Sequence, residues 1–193
     1  MRRVETLQPD YFEGLYRTDP DPWRFASSSY ERSKYAATLA ALPQPSYRNA
    51  FEVGCSIGVL TAQLAPRCDA LLSVDAAALP LDAAKRRCEA LRNVHFEQMF
   101  VPQQWPEGCF DLVLLSEVVY YLCAADVIRL TAKVMKSTTA GSHIVLVHWT
   151  ESTNYPLSGD EAADLFIVSI DSQARLERTD RHPSFRIDLM VRC

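Results

Sequence analysis

Apolar and polar positions along this chain follow two periods in turn. Residues Pro9 to Tyr16, P-D-Y-F-E-G-L-Y, space their aromatic side chains for a short helix. In the following D-P-D-P-W-R-F, two prolines forbid its continuation. The stretch S-S-S-Y-E-R-S-K-Y-A-A-T-L-A-A-L predicts a second helix. Ser28 with Glu31 three residues later is a capping-box signal, and Pro43 and Pro45 end the helix. No strand pattern occurs in this arm, so it is expected to lie on a sheet rather than within one.

From Tyr47 onward, short strands alternate with helices. Phe51 to Val53 predicts a first strand and Val59 to Leu64 opens a first helix. Leu71 to Val74 is a second strand ending at Asp75, Leu81 to Leu91 a helix with a charged face, and Val94 to Glu97 a third strand. After Gly108 comes F-D-L-V-L-L-S-E, the most continuous apolar run, which suits a central parallel strand buried on both faces. Ala125 to Lys136 predicts a helix, Gly141 breaks it, and H-I-V-L-V-H-W is a fifth strand. Asp160 to Val168 predicts another helix. Ala174 to Arg178 and Phe185 to Arg192 alternate as a half-exposed antiparallel pair joined through Arg181-His182-Pro183. The whole predicts one α/β domain, residues 1–193, with a doubly wound sheet: a helical arm at 1–45 and a core at 46–193.

Composition narrows the partners. The chain has 193 residues, 48% hydrophobic and 23% charged, as in ordinary soluble domains. Its net charge of −4 and lack of a basic stripe argue against nucleic acid. No apolar run approaches the roughly 20 residues of a membrane span, and the start lacks the apolar centre of a signal peptide. No membrane partner and a cytoplasmic location are therefore expected. The six cysteines form no C-x-x-C pair, which favours free thiols over disulfides or a metal. A monomer and a homodimer are both compatible with the chain.

The chemistry converges on A-F-E-V-G-C-S-I-G, residues 50 to 58. A strand ends in an acid and hands over to a glycine-bracketed turn that opens a helix. Gly54 and Gly58 remove Cβ atoms that would block a ligand, and free N–H groups of the turn are expected to face it. Asp75, closing the second strand, is placed to accept hydrogen bonds from ribose hydroxyls. Gln98-Met99-Phe100, after the third, offers a polar edge and flat or soft surfaces for a purine. The loop lacks the third glycine of G-x-G-x-x-G, and Glu52 would repel a pyrophosphate while attracting an ammonium. S-adenosylmethionine, with an amino acid head and no phosphate, fits best. The same letters spell G-x-S-x-G, the nucleophile elbow of α/β-hydrolases with Ser56 as nucleophile. No oxyanion loop precedes it, and Glu52 has no part in that chemistry.

These residues resemble class I S-adenosylmethionine-dependent methyltransferases. More narrowly, D-P-W-R-F, Y-E-R-S-K-Y, F-E-V-G-C-S-I-G, F-D-L-V-L-L-S-E-V-V-Y-Y-L and N-Y-P-L-S-G-D-E are similar to NodS-like methyltransferases, associated with nodulation. That resemblance implies a Rossmann-like seven-stranded, mostly parallel sheet in the order 3-2-1-4-5-7-6, with strand seven antiparallel. It implies that Glu52, Gly54, Ser56 and Gly58 hold the methionine part of the cofactor, Asp75 the ribose, and Gln98 and Met99 the adenine, while the Ser116 carbonyl meets the amino group. Ser56 stands where many such enzymes have glycine, and Gln98 where an aspartate is common. N-methylation of an amino sugar or chitooligosaccharide is the implied reaction. A hydroxyl or carboxyl acceptor, or a module that binds the cofactor without catalysis, remain alternatives.

On the acceptor side, the residues after the fourth and fifth strands are the candidates. Glu117 would orient a protonatable amine, Tyr120 would hydrogen-bond it, and His148 would accept a proton near neutral pH. The arm is expected to act as a lid: Arg32 pairing with the cofactor carboxylate, and Trp23 or Tyr30 covering the methionine end.

Overall fold

The computed structural model describes residues 2–193. Two helices, α1 (Pro9–Thr18) and α2 (Ser29–Ala41), precede β1 (Tyr47–Val53) and α3 (Val59–Leu64). There follow β2 (Cys68–Asp75), α4 (Leu79–Arg87), β3 (Val94–Gln98), β4 (Phe110–Ser116), α5 (Ala124–Lys136), β5 (Thr138–Trp149), α6 (Gly159–Ile170), β6 (Ala174–Arg181) and β7 (Phe185–Arg192). All seven strands form one sheet in the order β3-β2-β1-β4-β5-β7-β6. β7 is antiparallel to both neighbours and the others run parallel. This is the Rossmann-like order that the resemblance implies, and it reverses between β1 and β4, the place where open α/β sheets bind ligands.

The unbroken apolar run has a direct cause. On β4, Val113 and Leu115 pack on one face with α5 and α6, while Leu112 and Leu114 pack on the other with α2 and α3. All four are fully buried, so neither face tolerates a polar residue.

Three local readings change. Ser28 does cap α2, accepting from the Glu31 amide at 3.3 Å. Glu31, however, does not reach back to close a capping box, because its carboxylate is drawn into the interior by Lys34. Gly141 lies inside β5 rather than ending α5, with φ +86°. The β4–β5 pairing slips in register nearby, as at a β-bulge.

The C-terminal pair is not half-exposed on both strands. β6 is the edge, guarded by charged side chains such as Arg178 and Asp180, paired at 2.9 Å. β7 lies inside the sheet, and its polar face is covered by α6. There Arg186, 3% exposed, grips Asp188 through two bonds of 2.9 and 2.8 Å. It also reaches Asp160 and Asp164 on α6 at 2.8 Å each. The polar alternation of β7 therefore encodes a buried ion pair.

Arg186→Met is expected to cost about 3–5 kcal/mol in urea unfolding, because it strands the Asp188 carboxylate in the interior. The double substitution Arg186→Met/Asp188→Leu should recover most of that loss.

Candidate active site

An open crevice lies above the carboxyl ends of β1, β2 and β4, roofed by α1, α2 and the loop between them. Its empty space, mouth included, is about 890 Å³.

The floor is the β1–α3 loop. Gly54 takes φ +84°, and a Cβ there would stand 2.4 Å from Val118 and 3.0 Å from the Ser116 carbonyl. The glycine lets the β1 and β4 termini approach. Gly58, at φ +76°, serves packing instead: its missing Cβ would lie 2.9 Å from Ala84 on α4, and it does not line the crevice. The expected free N–H groups are largely spent. Gly54 and Cys55 donate to the Val74 carbonyl at 2.8 and 3.0 Å, Gly58 donates to Cys55, and Ser56 donates to Asp75 at 2.9 Å. A loop with its donors engaged offers little to a phosphate.

Glu52 also lies below the crevice rather than in it. Its carboxylate accepts from Thr61 at 2.6 Å and Ser73 at 2.7 Å, tying β1 to α3 and β2. Burial pushes it above the ordinary carboxylate range, against those two hydroxyls. Asp75 does line the crevice. Its two oxygens accept from the Ala77 and Ser56 amides, each at 2.9 Å, and burial still raises it to about 6. Beside it, Met99, Phe100 and Val101 supply an apolar wall. Gln98 is exposed and turns its amide to the Ala76 carbonyl at 3.1 Å.

Ser56 lines the crevice in a left-handed conformation, φ +49°, and its hydroxyl bonds Tyr16 on α1 at 2.5 Å. No histidine is bonded to it among the described residues. A nucleophile elbow needs that base, so the arrangement opposes the hydrolase reading.

The other end is dominated by charge. Lys34, 2% exposed, donates to Glu31 at 3.0 Å and to Glu117 at 2.6 Å. Glu117 also receives the Tyr120 hydroxyl at 2.5 Å and the Trp149 amide at 2.9 Å. Glu117 holds φ +59°, a strained conformation for a side-chain-bearing residue, fixed by those three donors. Desolvation pushes its carboxyl up, but the Lys34 ammonium with the Tyr120 and Trp149 donors brings it below the usual range. For Glu31, burial prevails over Lys34 and the carboxyl is raised. Desolvation works against the Lys34 ammonium, yet the two carboxylates hold it charged. Two carboxylates against one ammonium leave this end net negative.

Of the remaining candidates, two line the crevice and four stand elsewhere. Ser116 and Trp23 line the crevice, Trp23 stacking on Phe25 at 5.5 Å between ring centroids. Arg32 is exposed on the far side of α2, bonded to the Ser27 carbonyl at 2.8 Å. Tyr30 lies outside the lining, edge-on to Trp149 and Phe185. Tyr120 is behind Glu117, and its neighbour Tyr121 reaches the crevice instead. His148 is fully buried with no partner on either ring nitrogen, and burial lowers it to about 4. It is therefore neutral at pH 7 and away from the crevice. Lys34 and Glu31 were missed; the signal was the i,i+3 pair inside Y-E-R-S-K-Y, on the buried side of a helix whose Arg32 faces out.

Lys34→Met is expected to cost about 3–5 kcal/mol at pH 7, since both carboxylates lose their counter-charge. Without the ammonium their native pKa values rise above the unfolded ones, so the penalty should shrink between pH 7 and pH 5. Urea unfolding at the two pH values checks both.

Comparison with known proteins agrees with this fold. The family model described as Nodulation protein S (NodS) matches residues 14–143. Nodulation protein S of Rhizobium tropici is 33% identical over 127 residues, 65% of this chain and 53% of that protein. That of Sinorhizobium fredii is 32% identical over 127 residues, 65% of this chain and 59% of that protein. The chain thus spans little more than half the length of these curated relatives. A solved structure from Pseudomonas syringae, described as a candidate methyltransferase, is 33% identical, with a TM-score of 0.74 over 86% of this chain and all of that one. The N-methyltransferase NodS from Bradyrhizobium japonicum WM9, solved with S-adenosyl-L-homocysteine, shares the fold at a TM-score of 0.82, with 20% identity over 94% of this chain and 97% of that chain. Matched by that model from residue 14 to residue 143, well over half of its length, this chain belongs to the Nodulation protein S (NodS) family.

Proposed function

We propose that this protein is an S-adenosylmethionine-dependent methyltransferase acting on a small molecule, with an amine, such as that of an amino sugar, as the acceptor. The observation that carries the reading is the composition of the crevice. Its charged lining is Glu31, Asp75 and Glu117 against the single cation Lys34, among the described residues. Such a lining disfavours phosphates and suits a ligand bearing a sulfonium and an ammonium.

The residues present fit that cofactor. Asp75 is the ribose partner, Met99 and its neighbours the wall for adenine, and the Gly54–Ser56 turn with the Ser116 carbonyl the cradle for the methionine part. Tyr16, Trp23 and Phe25 roof the cradle and exclude water. When bound, the cofactor supplies an activated methyl group on sulfur. The protein's task is then to hold the acceptor in line at near-attack distance and to manage its proton. The likeness to NodS of Bradyrhizobium japonicum WM9, an N-methyltransferase, supports an amine acceptor. Transfer of labelled methyl to amino-sugar oligomers tests the reading. Cofactor binding with no transfer to any amine, alcohol or carboxylate would leave only a binding module.

Asp75 gives the reading a pH signature. A ribose hydroxyl donates to its ionised form, so S-adenosylhomocysteine affinity should fall as pH drops through about 6. The expected slope is at most about tenfold per pH unit. Calorimetric titration from pH 5 to 8 should show it, and Asp75→Asn should bind more weakly and with no such slope.

A further inference from the structure

We propose that Glu31, rather than Glu117, takes the proton from the acceptor amine. The inference rests on the methyltransferase reading above and assigns the residue that serves it.

The two carboxylates sit against the same ammonium, but their surroundings differ. Glu117 is saturated: one oxygen holds Lys34 and the other holds the Tyr120 hydroxyl and the Trp149 amide. A proton on either oxygen would have to displace a donor already bound there. Glu31 uses one oxygen for Lys34, and its Oε2 is buried without a hydrogen-bond partner. Its side chain is 8% exposed and lines the crevice. An orphaned carboxylate oxygen in the interior carries a desolvation cost that a donor brought by a ligand would relieve. The groups facing it are Lys34 and Tyr35 on its own helix, Tyr30 at the start of that helix, and Glu117 from the end of β4. Burial raises Glu31 while the three donors lower Glu117. Paired carboxyl groups pushed apart in this way commonly divide the acid–base roles between them.

The step balances. The acceptor enters as R–NH₃⁺ and gives one proton to the Glu31 carboxylate, leaving R–NH₂. The nitrogen lone pair forms the N–CH₃ bond, the S–CH₃ bond breaks, and its electron pair stays on sulfur as a neutral thioether. The product is R–NH₂⁺–CH₃, and Glu31 returns its proton to solvent. Glu117, held ionised by Lys34, keeps the site negative throughout.

The test compares wild type, Glu31→Gln and Glu31→Asp with S-adenosylmethionine and a panel of glucosamine, its oligomers and ethanolamine. With Glu31→Gln, kcat should fall about a hundredfold or more. The rise of kcat with pH that belongs to the carboxylate should vanish, and Glu31→Asp should restore it in part. Independently of turnover, the Glu31→Gln protein loaded with S-adenosylhomocysteine should bind the accepted amine about tenfold more weakly. Its affinity for S-adenosylhomocysteine alone should change by less than its affinity for the amine. Wild-type kcat and pH profile in Glu31→Gln would overturn the assignment. So would a wild type that binds S-adenosylhomocysteine but methylates no amine. Failure of the wild type to bind S-adenosylhomocysteine would instead remove the methyltransferase reading on which the assignment rests.

Discussion

One ammonium buried between two carboxylates joins the two parts of this molecule. Lys34 belongs to the helical arm, and Glu117 to the turn leaving the central strand of the sheet. Their contact is what seats α2 on the crevice. Neither partner is easily dispensed with, because each would leave the other charged in a medium that solvates it poorly. The strained backbone at Glu117 follows from the same contact: Lys34, Tyr120 and Trp149 together fix the side chain, and the main chain turns left-handed to deliver it.

The second constraint is the floor. In many nucleotide sites the turn after the first strand presents amide hydrogens to a phosphate. Here those hydrogens are given to Val74, Cys55 and Asp75, so the turn is braced by its own second strand. What remains for a ligand is acceptors: a carboxylate, a carbonyl and the hydroxyl pair of Ser56 and Tyr16. The electrostatic preference for a cationic, phosphate-free ligand comes from this exchange more than from Glu52, whose charge is absorbed by Thr61 and Ser73 beneath the floor.

The sheet was legible because its strands are buried on both faces and read as apolar runs, and because glycines mark the turns between them. Strand order came from resemblance, since periodicity does not order strands. At the site, Gly54, Ser56, Asp75, Met99 and Glu117 were singled out by their position at strand ends and Ser116 by resemblance, and all six line the crevice. The misses share a cause. Position in the chain does not say which way a side chain turns, and Arg32 and Lys34, two residues apart on one helix, point to solvent and to the interior. Tyr120 and Tyr121 were exchanged for the same reason. His148 was read as a strand-end base, whereas the packing of β7 and Tyr120 around β5 leaves it dry.

The extent of the family match bears on where specificity resides. Residues 14–143 include the glycine turn, Asp75, and the Glu31, Lys34 and Glu117 cluster. They stop before the end of β5, so Trp149, α6 and the β6–β7 pair lie beyond them. The amide of Trp149 nonetheless binds Glu117, and its ring meets Tyr30, which in turn meets Phe185 of β7. Segments outside the shared region thus press directly on the charged end of the crevice. These later elements can therefore shift the charged end without touching the floor of the crevice. The buried pair of Arg186 and Asp188, bonded to α6, then has a reason beyond stability: it fixes β7, whose Phe185 backs Tyr30 behind that charged end.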